Sequence, residues 1–337
     1  MTNPMISVIV PVYNVSTYLE DFFLCMRRQI FRNYEIIVWD DGSTDDSVTI
    51  CNQIAQADAR IRVFHGSNMG VAIARKSAIG KARGEYIVFA DPDDILDPAY
   101  LQAMFDIVQA GSLDFVASQC YEETDPKISR DFSMNGPDAS LRISGLECAE
   151  KILNRDFDAS DYPIRAELWG KIYRRTLFDG IEYPVQRTCS DVMLLSGVIC
   201  KVQHAAVISN KLYHYRISRD NSLQTKVSTD KLHDIWNSHL YVDTCFRKTF
   251  DIDEYYYLAD EYCTLFHIFT NIMNWSYVEN TMKLKEAFLF YQHKLKGLPL
   301  PAHCPKVIRL KKMIYASGYG WARLVFYVYS RLKRDLR

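Results

Sequence analysis

With 337 residues, 48% hydrophobic and 24% charged, the chain has the balance of a globular protein long enough to bury a large core in one big domain or two. No stretch reaches the roughly 18 continuous apolar residues of a membrane span. The N-terminus also lacks the basic-then-apolar order of an export signal, so a cytoplasmic location is expected. The net charge of −1 hides a split: residues 306–337 hold nine Lys/Arg against the single Asp335, a net +8 that leaves −9 on residues 1–305. That acidic bulk argues against nucleic acid as a partner. Nine scattered cysteines without a CxxC pair read as reduced core thiols, not disulfides or a zinc site.

Apolar runs rich in β-branched residues predict strands over Ile6–Val12, Tyr34–Trp39, Ile61–His65, Tyr86–Ala90 and Asp114–Ser118. Their starts fall about 25 to 28 residues apart, the spacing of βαβ units, so a mostly parallel sheet is expected. Leu19, Phe22, Phe23, Met26 and Ile30 make one apolar helix face after the first strand. Ser43 to Ser47 offers N-cap candidates for a second helix running toward Ala57, and Val71–Ala82 reads as a third, stopped by Gly84. Glu122 to about Ser144 turns polar and aperiodic, predicting a long loop. Leu168–Tyr173 and Val207–Tyr215 predict further strands and Ser190–Lys201 a helix. Residues 230–296 are helical, with Leu258, Tyr262, Leu265, Phe266, Phe269, Ile272 and Met273 on one stripe that suits either core packing or a homodimer contact.

Two acidic clusters stand directly after predicted strands, Asp40-Asp41-Gly42-Ser43 and Asp91-Pro92-Asp93-Asp94. If both strands are parallel, the clusters meet at the carboxyl edge of the sheet, where open α/β sheets bind ligands. Crowded carboxylates repel one another unless a cation joins them, and a divalent metal carrying a phosphorylated substrate is the expected guest. There is no GxGxxG after the first strand and no GxxxxGK[ST] anywhere, which removes the main support for dinucleotide and P-loop chemistry. The first strand ends instead in Pro11-Val12-Tyr13-Asn14, a ring and an amide suited to a base.

Four segments, Ser7 to Asn14, Val38 to Asp45, Asn68-Met69-Gly70 with Ala74-Arg75, and Gly84 to Asp94, resemble in order and spacing the family 2 glycosyltransferases of the GT-A fold. Trp169 to Arg175, Ser190-Asp191 and Leu212 to Arg216 with Ser222 are similar to bacterial members that build surface polysaccharides. The resemblance implies an inverting transfer of a sugar from a nucleotide donor, UDP-linked by preference, to a hydroxyl of a bacterial surface glycan or lipid-linked acceptor. It implies Pro11, Tyr13 and Asn14 around the base, with Asp41 accepting the imide hydrogen of uracil. Asp91 and Asp93 become the DxD pair, Asp93 ligating Mn²⁺ or Mg²⁺ and Asp91 reaching the ribose or the metal through water, with Asp40 and Asp94 architectural. Asp191 becomes the base, in a position where the family usually has Glu-Asp and this chain has Ser-Asp; Asp161 and Glu167 are fallback candidates. His214 is a candidate extra metal ligand, Arg216 and Ser222 close over the diphosphate, and Trp169 with Lys171 meets the acceptor.

The expected organisation is a catalytic domain over residues 1–225, a helical extension over 226–305 and a basic amphipathic segment over 306–337. That last segment mixes its cations with Trp321, Leu324, Phe326 and Tyr327, and suits either an anionic membrane surface or a docked terminal helix. Two rivals remain. A nucleotidyltransferase wants a basic Gly-rich first loop that Pro11-Val12-Tyr13-Asn14 does not supply, and a silent nucleotide-sugar-binding scaffold is encouraged only by the missing glutamate before Asp191.

Overall fold

The computed structural model describes residues 3–124, 126, 140–154, 163–186, 188–217, 228–276, 282–300 and 306–335. Two compact units emerge: Met1–Ile152 with Asp158–Asp220, and Leu153–Phe157 with Asn221–Arg337.

In the first unit the chain runs β1 (Ile6–Val12), α1 (Ser16–Arg27), β2 (Tyr34–Asp40), α2 (Ser47–Ala57), β3 (Ile61–His65), α3 (Val71–Ile79), β4 (Tyr86–Phe89), β5 (Ile95–Leu96), α4 (Tyr100–Gly111) and β6 (Phe115–Glu123). It continues through β7 (Ser140–Ser144), α5 (Gly145–Leu153), β8 (Lys171–Arg174), α6 (Ser190–Ile199) and β9 (His204–Arg216). Among the described residues nine strands form one sheet in the order β3-β2-β1-β4-β8-β6-β9-β5, with β7 also on β9. The block β3-β2-β1-β4 is parallel, and every residue of β1 is buried, as its unbroken apolar run requires. Pro11 is tolerated because pairing with β4 ends at Ile9–Phe89.

The sheet departs from simple βαβ succession where β8 inserts antiparallel between β4 and β6. The predicted loop from Glu122 to Ser144 is corrected at its far end, because Ser140–Ser144 pairs antiparallel with β9; residues 125 and 127–139 lie outside the described residues. Helix α1 buries Leu19, Phe22, Phe23 and Met26 as its period predicts, but it ends at Arg27, and the Ile30 N–H donates to the Pro98 carbonyl beyond it.

The second unit contains α7 (Thr229–Thr249), α8 (Glu254–Ser276), α9 (Met282–Gly297), α10 (Lys306–Ser317) and α11 (Tyr319–Asp335). Ser228 caps α7 by accepting from the Lys231 N–H at 3.2 Å. The aromatic stripe of α8 is consumed inside this unit: Phe269 lies 5.0 Å from the Phe288 ring and 4.6 Å from the Tyr315 ring, so the stripe is core and not a subunit contact. Helices α10 and α11 pack on α8 and α9.

Candidate active site

The carboxyl ends of β1, β2 and β4 deliver the two acidic clusters to the same edge, and hydrogen bonds lock the first loops together. The polar run after β2 serves both helices: Asp45 Oδ1 accepts the N–H of Ser47, the first residue of α2, at 3.0 Å, and the same run caps α1. Ser43 Oγ accepts the Asn14 N–H at 3.1 Å, Ser47 Oγ the Val15 N–H at 3.0 Å and Asp45 Oδ2 the Ser16 N–H at 3.0 Å. In return Asn14, held at φ 51°, accepts the Thr44 N–H on Oδ1 at 2.8 Å. Asn14 thus braces this corner, while Tyr13 projects its ring outward and Pro11 is buried.

The adjacent aspartates of the first cluster split their tasks by orientation. The Asp40 carboxylate folds back onto the Gly42 and Ser43 N–H groups and shapes the turn. Asp41, also buried, reaches the start of α3 and accepts the Met69 N–H at 3.0 Å and the Gly70 N–H at 2.8 Å, one on each oxygen. Backbone donors at a helix start suit a fixed negative charge, and each oxygen retains a lone pair for a further donor. Gly42 permits this crossing at φ 78°, where an added Cβ would come within 3.0 Å of the Asn68 nitrogen.

In the second cluster Asp94 points inward. Its carboxylate, 1% exposed, accepts the Tyr213 hydroxyl and the Arg216 N–H, both at 2.8 Å. Burial pushes its pKa well above the usual carboxylate range, with Asp93 and Asp91 adding to the rise. The same Tyr213 hydroxyl accepts the Asp91 N–H at 3.2 Å, and Arg216 Nε donates to the Asp93 carbonyl at 2.9 Å. The DxD loop is therefore clamped onto β9 from both sides.

The buried side chain of Arg75 joins this cluster to the start of α6. Its Nη2 lies 3.2 Å from Asp91 and its Nη1 2.6 Å from Asp191. Burial raises the Asp91 carboxyl to about 6; Arg75 opposes that rise, and Asp93 and Asp191 reinforce it. Two carboxylates thus share one guanidinium. Among the described residues no three His, Cys, Asp or Glu side chains converge as a metal cage. Asp91 and Asp93 provide two hard carboxylates, a set that fits Mg²⁺ or Mn²⁺ whose shell is completed by phosphate oxygens. The sequence assigns Arg75 no role beyond its place in the Ala74-Arg75 segment, although it is a cation on the buried face Ala72, Ala74, Ala78 of α3.

Several expected contacts are corrected. Strand alternation sends Tyr213 toward the Asp94 side of β9 and His214 to the other face, where Nδ1 pairs with Glu123 at 3.1 Å and the ring stacks on Tyr121; His214 is not beside the DxD pair. Trp169, expected against the acceptor, is 2% exposed and stacked on Tyr213 and Tyr215 at 4.7 and 4.9 Å, with Arg165 over it at 5.2 Å. Lys171 is equally buried, donates to the Glu167 and Trp169 carbonyls, and has its pKa lowered to about 8 by burial. The fallback Glu167 pairs with Arg165 at 3.3 Å. Ser222 and Asp161 lie outside the described residues.

Comparison with known proteins agrees with this geometry. The Glycosyl transferase family 2 profile matches residues 7–157. Glycosyltransferase GlyG of Streptococcus pneumoniae is 29% identical over 236 residues, 68% of this chain and 77% of GlyG. The cholesterol galactosyltransferase of Borreliella burgdorferi is 24% identical over 328 residues, 94% of this chain and 88% of its own. Among solved structures, S. aureus TarS 1–349 in complex with UDP-GlcNAc superposes with a TM-score of 0.67 at 16% identity, covering 87% of this chain and 81% of TarS. The Pyrobaculum calidifontis mannosyltransferase PcManGT, in complex with GDP-Man and Mn²⁺, gives 0.52 at 16% identity over 94% of this chain and 85% of that one. The acidic loops of β2 and β4 fall inside the matched segment, so residues 7–157 carry a family 2 glycosyltransferase domain, and the fold is that of the GT-A structures it resembles.

Proposed function

We propose that the chain transfers a sugar with inversion from a UDP-sugar, with a divalent metal, to a hydroxyl of a lipid-linked or growing bacterial surface glycan. The observation that carries this reading is the Asp91–Arg75–Asp191 bridge, which sets a carboxylate at a helix start beside the DxD loop. In the proposed reaction Asp191 takes the acceptor hydroxyl proton while the acceptor oxygen forms its bond to the anomeric carbon. The bond from that carbon to the diphosphate oxygen breaks with its electron pair leaving on the diphosphate, and a single displacement inverts the centre. Asp41 would hold uracil through the imide N–H, its backbone donors keeping the carboxylate aimed. Asp91 and Asp93 would hold the cation, which when bound supplies positive charge to the departing diphosphate. Arg216, braced on the Asp93 carbonyl, and Ser222 would close over the same group. A lipid-linked acceptor draws support from the cholesterol galactosyltransferase, whose similarity runs nearly the whole chain.

The test is incubation with UDP-, GDP- and CMP-sugars and Mn²⁺ or Mg²⁺, following nucleotide release and thermal shift. A metal-dependent shift by UDP-sugars is expected; no shift by any nucleotide sugar would sink the reading.

A further inference from the structure

Helices α10 and α11 carry an exposed surface that the transfer reaction does not use. On α10, Ile308 and Tyr315 are seven residues apart and are buried against the unit. At 100° per residue Leu310 and Met313 lie on the side away from them, with Val307 at its edge. On α11, Ala322 is buried, while Trp321, Leu324 and Val328 follow a three- and four-residue step into solvent. These six apolar side chains are 48–69% exposed, far from the burial such residues usually find. Arg309 and Lys311 flank the α10 stripe and Lys306 stands at its start, all three exposed.

Charge decides the occupant. Residues 306–337 sum to +8 and the rest of the chain to −9. A second copy docking face to face would set this charge against itself. A nucleic acid would cover the cations and leave Leu310, Met313 and Leu324 wet. An anionic bilayer answers both halves, since acyl chains cover the stripes and headgroups meet the cations. No helix among the described residues is long and apolar enough to cross a membrane, so the contact is interfacial. We propose that α10 and α11 form a lipid-binding surface that seats the chain on an anionic membrane. The surface stands on its own residues; its use in transfer rests on the lipid-linked acceptor proposed above.

The test is flotation of the full chain with vesicles of phosphatidylcholine alone or mixed with phosphatidylglycerol, at low and high salt. Flotation with the mixed vesicles, weakened by salt and weak on phosphatidylcholine, is expected. The triple variant Lys306→Gln/Arg309→Gln/Lys311→Gln should lower partition on the order of 100-fold, at roughly fivefold per cation. The variant Leu310→Ser/Met313→Ser/Leu324→Ser should lower it at every salt concentration. Nucleotide-sugar hydrolysis in solution should persist in both, which separates this proposal from the donor reading. No flotation, equal binding to both vesicle types, a solution dimer dissolved by the serine variant, or RNA binding lost in the glutamine variant would each overturn it. If a variant does not fold, the wild-type dependence on lipid charge and salt still decides.

Discussion

Replacing Arg75 with Met tests whether the bridge between the DxD loop and α6 organises the site. The guanidinium is 4% exposed, with one nitrogen 2.6 Å from Asp191 and the other 3.2 Å from Asp91. Removing one partner of a buried ion pair costs about 3–5 kcal/mol, because the remaining charges keep their desolvation without compensation. Both aspartates are about a quarter exposed, at 28% and 26%, and water can reach them, so a loss near the lower end, about 3 kcal/mol, is expected. A second effect separates from the first. Arg75 opposes the burial-driven rise of Asp91, so without it that carboxyl climbs further above its value of about 6 and is substantially protonated at neutral pH. Metal-dependent donor binding in Arg75→Met should then recover as pH is raised from 6.5 to 8.5, a recovery much smaller in the wild type. Arg75→Lys keeps the charge but not the two-armed fork and should fall between. Urea midpoints report the stability loss, and donor titrations across pH report the second effect. An Arg75→Met protein within about 1 kcal/mol of wild type, with an unchanged pH profile of donor binding, would refute the reasoning.

The remaining predictions address other parts of the centre. Asp191→Asn should retain metal-dependent UDP-sugar binding while transfer falls by about 10²-fold or more, measured as kcat beside a binding isotherm; retained transfer would move the base elsewhere. Asp93→Ala, and separately chelation of the wild type, should abolish the donor-induced thermal shift, with Mn²⁺ restoring it only in the wild type. Gly84→Ala should destabilise the sheet by about 1–3 kcal/mol in urea, since the new methyl would lie 2.6 Å from the Ser7 nitrogen. For Lys171, a pKa lowered to about 8 means that the unfolded chain binds more protons between about pH 8 and 10.5, so this residue's contribution to stability rises with pH across that window. The stability of wild type relative to Lys171→Met should therefore improve by up to about 3 kcal/mol from pH 7.5 to 10. A pH-independent difference would show that the lysine is not buried as a cation at neutral pH.

The parallel block was legible because its strands are unbroken apolar runs closed by local turn chemistry. Ile6–Val12 and Ile61–His65 are read from sequence at the bounds they have in the sheet. The insertion of β8 between β4 and β6 was not legible, since the predicted run Leu168–Tyr173, which the structure shifts to Lys171–Arg174, announces a strand but not its neighbours or direction. Asp41, Asp91 and Asp93 could be placed at the carboxyl edge from sequence because each follows a strand whose end points there. Residues of β8 and β9 were misread for a physical reason: which face a strand side chain takes depends on a phase set by pairing. A one-residue difference turns His214 toward Glu123 and Tyr213 toward Asp94. Arg75 stood in plain sight within a quoted motif, but its meaning lies in a partner 116 residues away.

That separation bears on how the protein is made. The pairings of β2 with β1 and with β3 span 28 and 25 residues, and that of β1 with β4 spans 80, so the scaffold closes with smaller chain loops than the contacts that follow. The Arg75–Asp191 and Asp94–Tyr213 contacts span 116 and 119 residues and close large ones. On a ribosome the early strands emerge and can condense first, whereas the DxD loop gains its clamp and its neighbouring carboxylate only once synthesis has passed Arg216. The nascent chain therefore holds an incomplete candidate site through nearly two thirds of its synthesis, and that site closes together with the β9 side of the sheet.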